Sequence, residues 1–158
     1  MWSAVIFALL ASGVGIRAYR DLSRPEAWAY WRDQYYSPSL KATVIDHADF
    51  GGGAADRRAL AVTGEIGAAA ATWLRARIDE AKLAPGDLIL LSSPGGNLVQ
   101  AVIMGEAIRS RGLDTAVGVA DGSGRVRAAY CASACVLVFA GARSAMASTA
   151  RRSGSIAS

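Results

Sequence analysis

An α/β fold built on a parallel sheet is predicted by three observations. Residues 88–91, Leu-Ile-Leu-Leu, form a continuous apolar run that empties into Ser-Ser-Pro-Gly-Gly. That is the pattern of a central strand buried on both faces, followed by a loop whose backbone can be approached closely. Next, Val99, Val102, Ile103, Ala107 and Ile108 recur at helical spacing, and a further strand pattern follows at 114–119. Strands alternating with helices imply crossover connections and a layered core. Finally, 158 residues at 53% hydrophobic and 19% charged suit one domain with a substantial core plus a short apolar appendage, and exclude a disordered or fibrous chain.

The first unit is 1–17. Met1 to Ile16 carries no charged side chain, which falls short of the ~20 apolar residues of a spanning helix but matches the apolar region of a signal peptide or membrane anchor. Export or membrane anchoring is expected, with the membrane as a partner through this segment, either as a signal or as a transmembrane helix. Arg17, Arg20 and Arg24 follow the run and no basic residue precedes it, a bias that would keep the downstream end cytoplasmic. A start upstream of Met1, with a basic n-region, would reconcile the two. Ala11-Ser12-Gly13 gives only a faint cleavage signal.

Residues 18–58 form an aromatic-rich helix and linker. Tyr19, Trp28, Tyr30, Trp31, Tyr35 and Tyr36 crowd this stretch, and Ser23 followed by Glu26, with Pro25 between them, predicts a capped short helix over 24–33. The aromatics suit either a membrane interface or one edge of the core. Ser37-Pro38-Ser39 ends the helix, 43–45 reads as a short edge strand, and 51–53 is a glycine turn.

The globular unit is 59–141. A strand at 59–63 closes at Gly64, and a helix over 68–81 puts Trp73, Leu74 and Ile78 on one face. A turn at Ala84-Pro85-Gly86-Asp87 precedes the strand at 88–91. Asn97 is a good N-cap for the helix over 98–111, and Gly112 is placed to end it in the left-handed conformation. A loop rich in Gly and Arg fills 121–127. Beyond Gly141 the periodicity stops, and 142–158 reads as an irregular Ser, Ala and Arg tail, as in a truncated or frame-shifted end.

Charge narrows the partners. The net charge of +4 comes almost wholly from arginine, since Lys41 and Lys82 are the only lysines. The arginines form no single stripe interleaved with aromatics, so nucleic acid is not expected as a partner. His47 is the only histidine and lies in a polar stretch; with so few ligands, neither a metal nor another cofactor is expected.

Gly64-Glu65-Ile66 after a strand, Ser93-Pro94-Gly95-Gly96-Asn97 leading into a helix, and Cys131-Ala132-Ser133-Ala134-Cys135 leading into another together resemble the Clp protease/crotonase superfamily. The nearest likeness is to the Clp-fold serine-peptidase-like proteins of bacterial membranes and periplasm. The resemblance covers about 59–141 and implies a layered Clp/crotonase-like ββα core, a peptide or protein substrate, and a homo-oligomer as one assembly. Ser133 matches the nucleophile position, at a helix N-terminus where dipole and free amides favour negative charge. The amides of Gly96 and Ala134 match the oxyanion donors, with Gly95 and Asn97 lining the substrate side. The plain alternatives are a tight strand-to-helix turn at Ser93 to Asn97 and an ordinary N-cap at Ser133.

In the peptidase branch, the resemblance also implies a histidine base downstream of the serine and an acidic residue later still. None of the 25 residues after Ser133 is His, Asp, Glu or Lys, and a serine without a base is a weak nucleophile at neutral pH. Cys131 and Cys135 can pair in an oxidising compartment if Cys131 precedes the helix, or can be small buried residues beside the serine. Three classes of function remain open. They are a serine hydrolase with an incomplete triad, a non-catalytic Clp-fold module that binds peptides or partners, and a crotonase-like acyl-CoA enzyme, against which the serine turn and apolar N-terminus argue.

Overall fold

The computed structural model describes residues 2–36, 38–49, 57–121 and 123–147; the glycine turn expected at 51–53 and the tail beyond 147 lie outside them. The apolar run becomes β3 (Leu88–Ser92), and Leu88, Ile89, Leu90 and Leu91 are all buried. It sits in the middle of a five-stranded sheet of order β1-β2-β3-β4-β7. β2 (Arg57–Gly64) and β4 (Asp114–Val117) flank it in parallel, as burial on both faces requires. The α/β class is thus observed, and the sheet is mixed because β1 (Leu40–Ala48) runs antiparallel to β2.

The sheet's two faces are covered unequally. On one, Leu60, Val62, Ile89 and Leu91 meet α3 (Ala70–Glu80), α4 (Leu98–Ser110) and α5 (Ala134–Gly141), whose Trp73, Leu74, Ile78, Met104, Ile108 and Val138 complete the main core. On the other, Ala59, Ala61, Leu88, Leu90 and Ala116 form a smaller buried cluster with Ile45 and Ala48 of β1, against which the hairpin of β5 (Val119–Ala120) and β6 (Val126–Arg127) packs through Ala120 and Val126. Burying about ten large apolar side chains on the helical face, at roughly 1.5–3 kcal/mol each, makes that layer the main source of cohesion.

Helix ends follow the sequence closely in α4. The Asn97 side chain accepts from the Gln100 amide at 3.0 Å. At the other end Gly112, at φ 66°, lets its own amide reach Arg109 O and the Leu113 amide reach Ile108 O, the paired bonds that satisfy a helix's last carbonyls.

Elsewhere the structure departs from the sequence reading. β1 spans nine residues rather than 43–45, because its pairing with β2 extends from Leu40 opposite Gly64 to Ala48 opposite Arg57. The strand read over 114–119 breaks at Gly118, and β5 turns away to pair with β6 inside the expected loop. β7 (Ala145–Ala147) pairs in parallel with β4 where an irregular tail was expected. Ser23 does not cap the second helix: its hydroxyl donates to Tyr19 O, and α2 (Pro25–Trp31) starts from Arg24 without a side-chain cap.

α1 (Trp2–Leu22) is a single 21-residue helix whose large apolar side chains, Trp2 and Phe7 among them, are exposed. The transmembrane-helix expectation is corrected: among the described residues no helix is long and apolar enough to cross a membrane. The physical reason is that the uncharged run stops at Ile16, and Arg17, Arg20 and Asp21 occupy the last turns, short of the ~20 apolar residues needed.

Candidate active site

The site grows from the point where β3 leaves the sheet. Ser93 continues the strand by one residue, donating its amide to Tyr130 O at 3.0 Å and accepting from the Ala132 amide at 3.1 Å. The segment before α5 is thereby laid alongside the end of β3. The buried Ser93 hydroxyl then accepts from the Gly95 amide at 3.1 Å and shapes the turn.

Gly95 and Gly96 have φ of +103° and +138°, conformations that glycine alone adopts cheaply. A Cβ on Gly95 would lie 2.7 Å from Ala132 O, 2.8 Å from Ser133 Cβ and 3.0 Å from Ala134 N. The glycine turn therefore touches the serine turn through bare backbone. On its other side the turn is fastened to the extension of β2: the Ile66 amide donates to Gly95 O at 2.8 Å and the Asn97 amide to Ile66 O at 2.7 Å. In that parallel bridge the amide of Gly96 faces away from Ile66.

Ser133 occupies φ 53°, ψ −126°, and is exposed. A serine held at positive φ costs about 1–3 kcal/mol and persists only where its surroundings impose it. On a tight turn into a helix, this is the geometry that lifts a nucleophilic hydroxyl clear of the surface. Its hydroxyl makes no cap bond to α5. Ala134, buried, opens the helix, so its amide is one of the first-turn donors with no partner inside the helix. Among the described residues, no backbone carbonyl accepts from the Gly96 or the Ala134 amide. Two unengaged N–H groups beside an exposed hydroxyl can bind an acyl oxygen while the hydroxyl meets its carbon.

The predicted site residues are thus distributed as follows. Ser133, Ala134 and Gly95 are in direct apposition, and Gly96 is next to Gly95 on the exposed side. Both main-chain polar groups of Gly95 are engaged, its amide by the Ser93 hydroxyl and its carbonyl by the Ile66 amide, and Asn97 is engaged through its amide and as the cap of α4. Cys131 and Cys135 form a disulfide with Cα atoms 5.3 Å apart, Cys131 lying just before the helix and Cys135 in its first turn. The sequence points to Ser93 and Ile66 only as members of motifs, without a role of their own, and does not point to Asp33. Asp33 accepts from Ser39 N and Oγ and, at 2.8 Å, from the Ala69 amide, tying the aromatic segment to the start of α3.

Among the described residues, none of the histidine and lysine candidates is brought to the serine. His47 lies on β1 near the pairing of Ala48 with Arg57, at the end of the sheet opposite the glycine turn. Lys41 lies at the right end but two strands from β3, and it sits between Leu40 and Ala42, which pack on the helical side, so alternation puts it on the other face. Lys82 follows α3 at the far end. The shifted carboxylates are elsewhere: Asp79 is lowered by its hydrogen bond from Arg111, and Asp121, in the β5–β6 loop, is lowered to about 2 by the Ser123 hydroxyl. Among the described residues no cluster of His, Cys, Asp and Glu could hold a metal ion.

On the helices that carry the two turns, Leu98, Val99 and Val102 of α4 and Val136 and Leu137 of α5 are exposed apolar side chains, and Tyr130 before the serine turn is exposed as well. No family model, curated protein or solved structure matches this chain.

Proposed function

We propose that this chain carries an acyl-binding serine site of the Clp-fold peptidase type, in which a peptide carbonyl is held by the amides of Gly96 and Ala134 and attacked by Ser133. The observation that carries the reading is the contact between the glycine turn and the strained serine turn, with Gly95 pressed against Ser133 Cβ and Ala134 N. Two unrelated structural turns have no reason to meet so closely around an exposed hydroxyl and two unengaged amides. In the reaction the Ser133 oxygen bonds to the acyl carbon, the carbonyl oxygen takes up negative charge between the two amides, and the hydroxyl proton passes to solvent water, since no histidine or lysine stands at Ser133 among the described residues. The exposed apolar side chains of α4 and α5 suit a peptide with hydrophobic residues.

A second reading is a module that binds peptides by the same groove without turnover. It is favoured by one observation, the absence of a histidine or lysine at Ser133 among the described residues. A crotonase-like acyl-CoA role is the weakest, since it has no use for a strained serine. The disulfide suits an exported or periplasmic location, where such bonds persist.

The test is labelling of the purified protein by a fluorophosphonate, compared with Ser133→Ala. Labelling that disappears in the variant upholds the hydrolase reading. If the folded protein is not labelled yet binds a peptide boronate or aldehyde in a Ser133-dependent manner, the binding module stands and the hydrolase falls.

A further inference from the structure

We propose that the Cys131–Cys135 disulfide is a reversible clip that holds the serine turn in its working conformation, so that reduction by a dithiol disassembles the site without unfolding the domain. The two cysteines bracket Ser133 symmetrically, two residues to either side. Each is anchored to a different part of the site. Cys131 bridges Ser93, the residue that leads β3 into the glycine turn, whereas Cys135 is buried in the first turn of α5. The bond therefore ties the end of the central strand to the start of the helix across the one non-glycine residue of the site held at positive φ.

The bonds from the Ser93 amide to Tyr130 O and from the Ala132 amide to Ser93 O hold the segment before Ser133 to β3 and survive reduction. Beyond Ala132, few interactions fix the turn among the described residues. The Cys135 amide donates to Ala132 O and the Val136 amide to Ser133 O, bonds that a relaxed N-cap would also make. The Ser133 hydroxyl adds no cap bond. Once the clip opens, Ser133 can return to negative φ, which reorients the Ala134 peptide and moves the hydroxyl relative to Gly96.

The chemistry is ordinary thiol–disulfide exchange. One thiolate of an external dithiol attacks Cys131 Sγ, the less buried sulfur, beside the exposed Ala132 and Ser133. Cys135 leaves as the thiol, a mixed disulfide forms at Cys131, and the second thiol of the reductant displaces it. Two electrons and two protons pass from the dithiol to the cysteine pair. Air or a disulfide oxidant reverses the step.

Two readouts test the clip, and only one rests on the serine site proposed above. Hydrogen exchange of the amides of residues 131–138 is followed in the oxidised protein, in the dithiol-reduced protein and in Cys131→Ser/Cys135→Ser. Expected is faster exchange, on the order of tenfold or more, confined to this segment, with β2, β3 and α3 unchanged. Fluorophosphonate labelling at Ser133 is expected to fall by on the order of tenfold to a hundredfold on reduction and to recover on reoxidation. Its midpoint in a redox buffer should coincide with that of alkylation of two thiols. Unchanged exchange in 131–138 on reduction overturns the clip, as does labelling that persists in the reduced protein. Exchange that rises throughout the core overturns it in favour of a general stabilising bond. An oxidised protein that is never labelled refutes the hydrolase, and the exchange arm still decides the clip. If the double variant does not fold, the reduced and reoxidised native chain carries the test.

Discussion

The two ends of the parallel strands are built on opposite rules. At the N-terminal end the polar groups that join β2, β3 and β4 answer one another. Arg57 donates to Gly86 O and to the Asp114 carboxylate at 2.5 Å, the Gly86 amide reaches Gly112 O, and the Asp114 amide reaches Asp87 O. At the C-terminal end two amides have no partner among the described residues, a hydroxyl is exposed, and positive φ is tolerated at Gly95, Gly96 and Ser133. Satisfied hydrogen bonds stabilise, whereas unsatisfied and strained groups cost free energy and survive where they do something else. The carboxyl ends of parallel strands are also where ligands bind in open α/β sheets, so the difference between the ends separates the closed side of the fold from its chemistry.

The strongest way to break the open end is Gly96→Ala. A Cβ there would fall on the Ile66 carbonyl oxygen and lie 2.9 Å from Ile66 N, at a φ of +138°. The turn must shift, with an expected loss of about 2–4 kcal/mol in denaturant unfolding. Serine labelling should fall on the order of a hundredfold, as for the loss of an oxyanion donor. Arg57→Ala attacks the closed end. It strands Gly86 O and the partly buried Asp114 carboxylate, so unfolding free energy should drop by about 1–3 kcal/mol. Labelling of the remaining folded protein should not change. Equal effects of both substitutions on labelling would mean that the two ends are not separable.

How much of this was legible follows from how local each determinant is. β3, its glycine turn, the Asn97 cap and the Gly112 stop are written in contiguous residues, and the structure holds them where the pattern places them. The meeting of Ser133 with Gly95 was implied by the resemblance alone, because nothing in Cys-Ala-Ser-Ala-Cys fixes positive φ on a serine; that sign belongs to a turn strung between Ser93 and the helix, whose two ends the disulfide ties together. β7 was not legible: three residues become a strand only because β4 offers an edge. β1 looked short because its exposed positions, among them Lys41, Thr43 and Val44, hide a period that pairing with β2 defines. The role of Asp33 was not legible because the partner that ties it to α3, the Ala69 amide, lies 36 residues away. α1 was read to Ile16 from its hydropathy, while its helix continues through Arg17, Arg20 and Asp21 to Leu22.

A smaller effect sharpens the closed end. Lys82 follows α3 at φ 50°, with its amide on Asp79 O and that of Leu83 on Ile78 O, the stop that Gly112 makes for α4. Glycine adopts this conformation without a Cβ penalty, so Lys82→Gly should raise stability by about 0.5–1 kcal/mol. Thermal unfolding would show it as a modest rise in Tm with labelling unchanged. A fall in Tm would mean that the lysine stem contributes packing that outweighs the backbone gain.

The smallest effect is a titration. Asp121 accepts from the Ser123 hydroxyl and amide and from the Arg125 amide, with Arg127 at 3.1 Å, and its carboxyl is held down at about 2, the Ser123 hydroxyl being the largest cause. A carboxyl whose folded pKa lies below its unfolded value contributes stability that is complete above the unfolded value of about 4 and is lost as pH falls towards the folded one. The β5–β6 loop should therefore loosen between about pH 4 and 2 and be indifferent to pH above that. Its exposure and screening by salt keep the effect small. Proton-detected titration should place the Asp121 midpoint near 2, with the Ser123 and Arg125 amides moving together. This loop meets β1 at the closed end, through the Asp49 bridge to Arg125. The Gly96 and Ala134 amides should therefore stay still across the same range. If they follow the Asp121 midpoint instead, the hairpin transmits charge along the sheet, and the open end is not independent of the closed one.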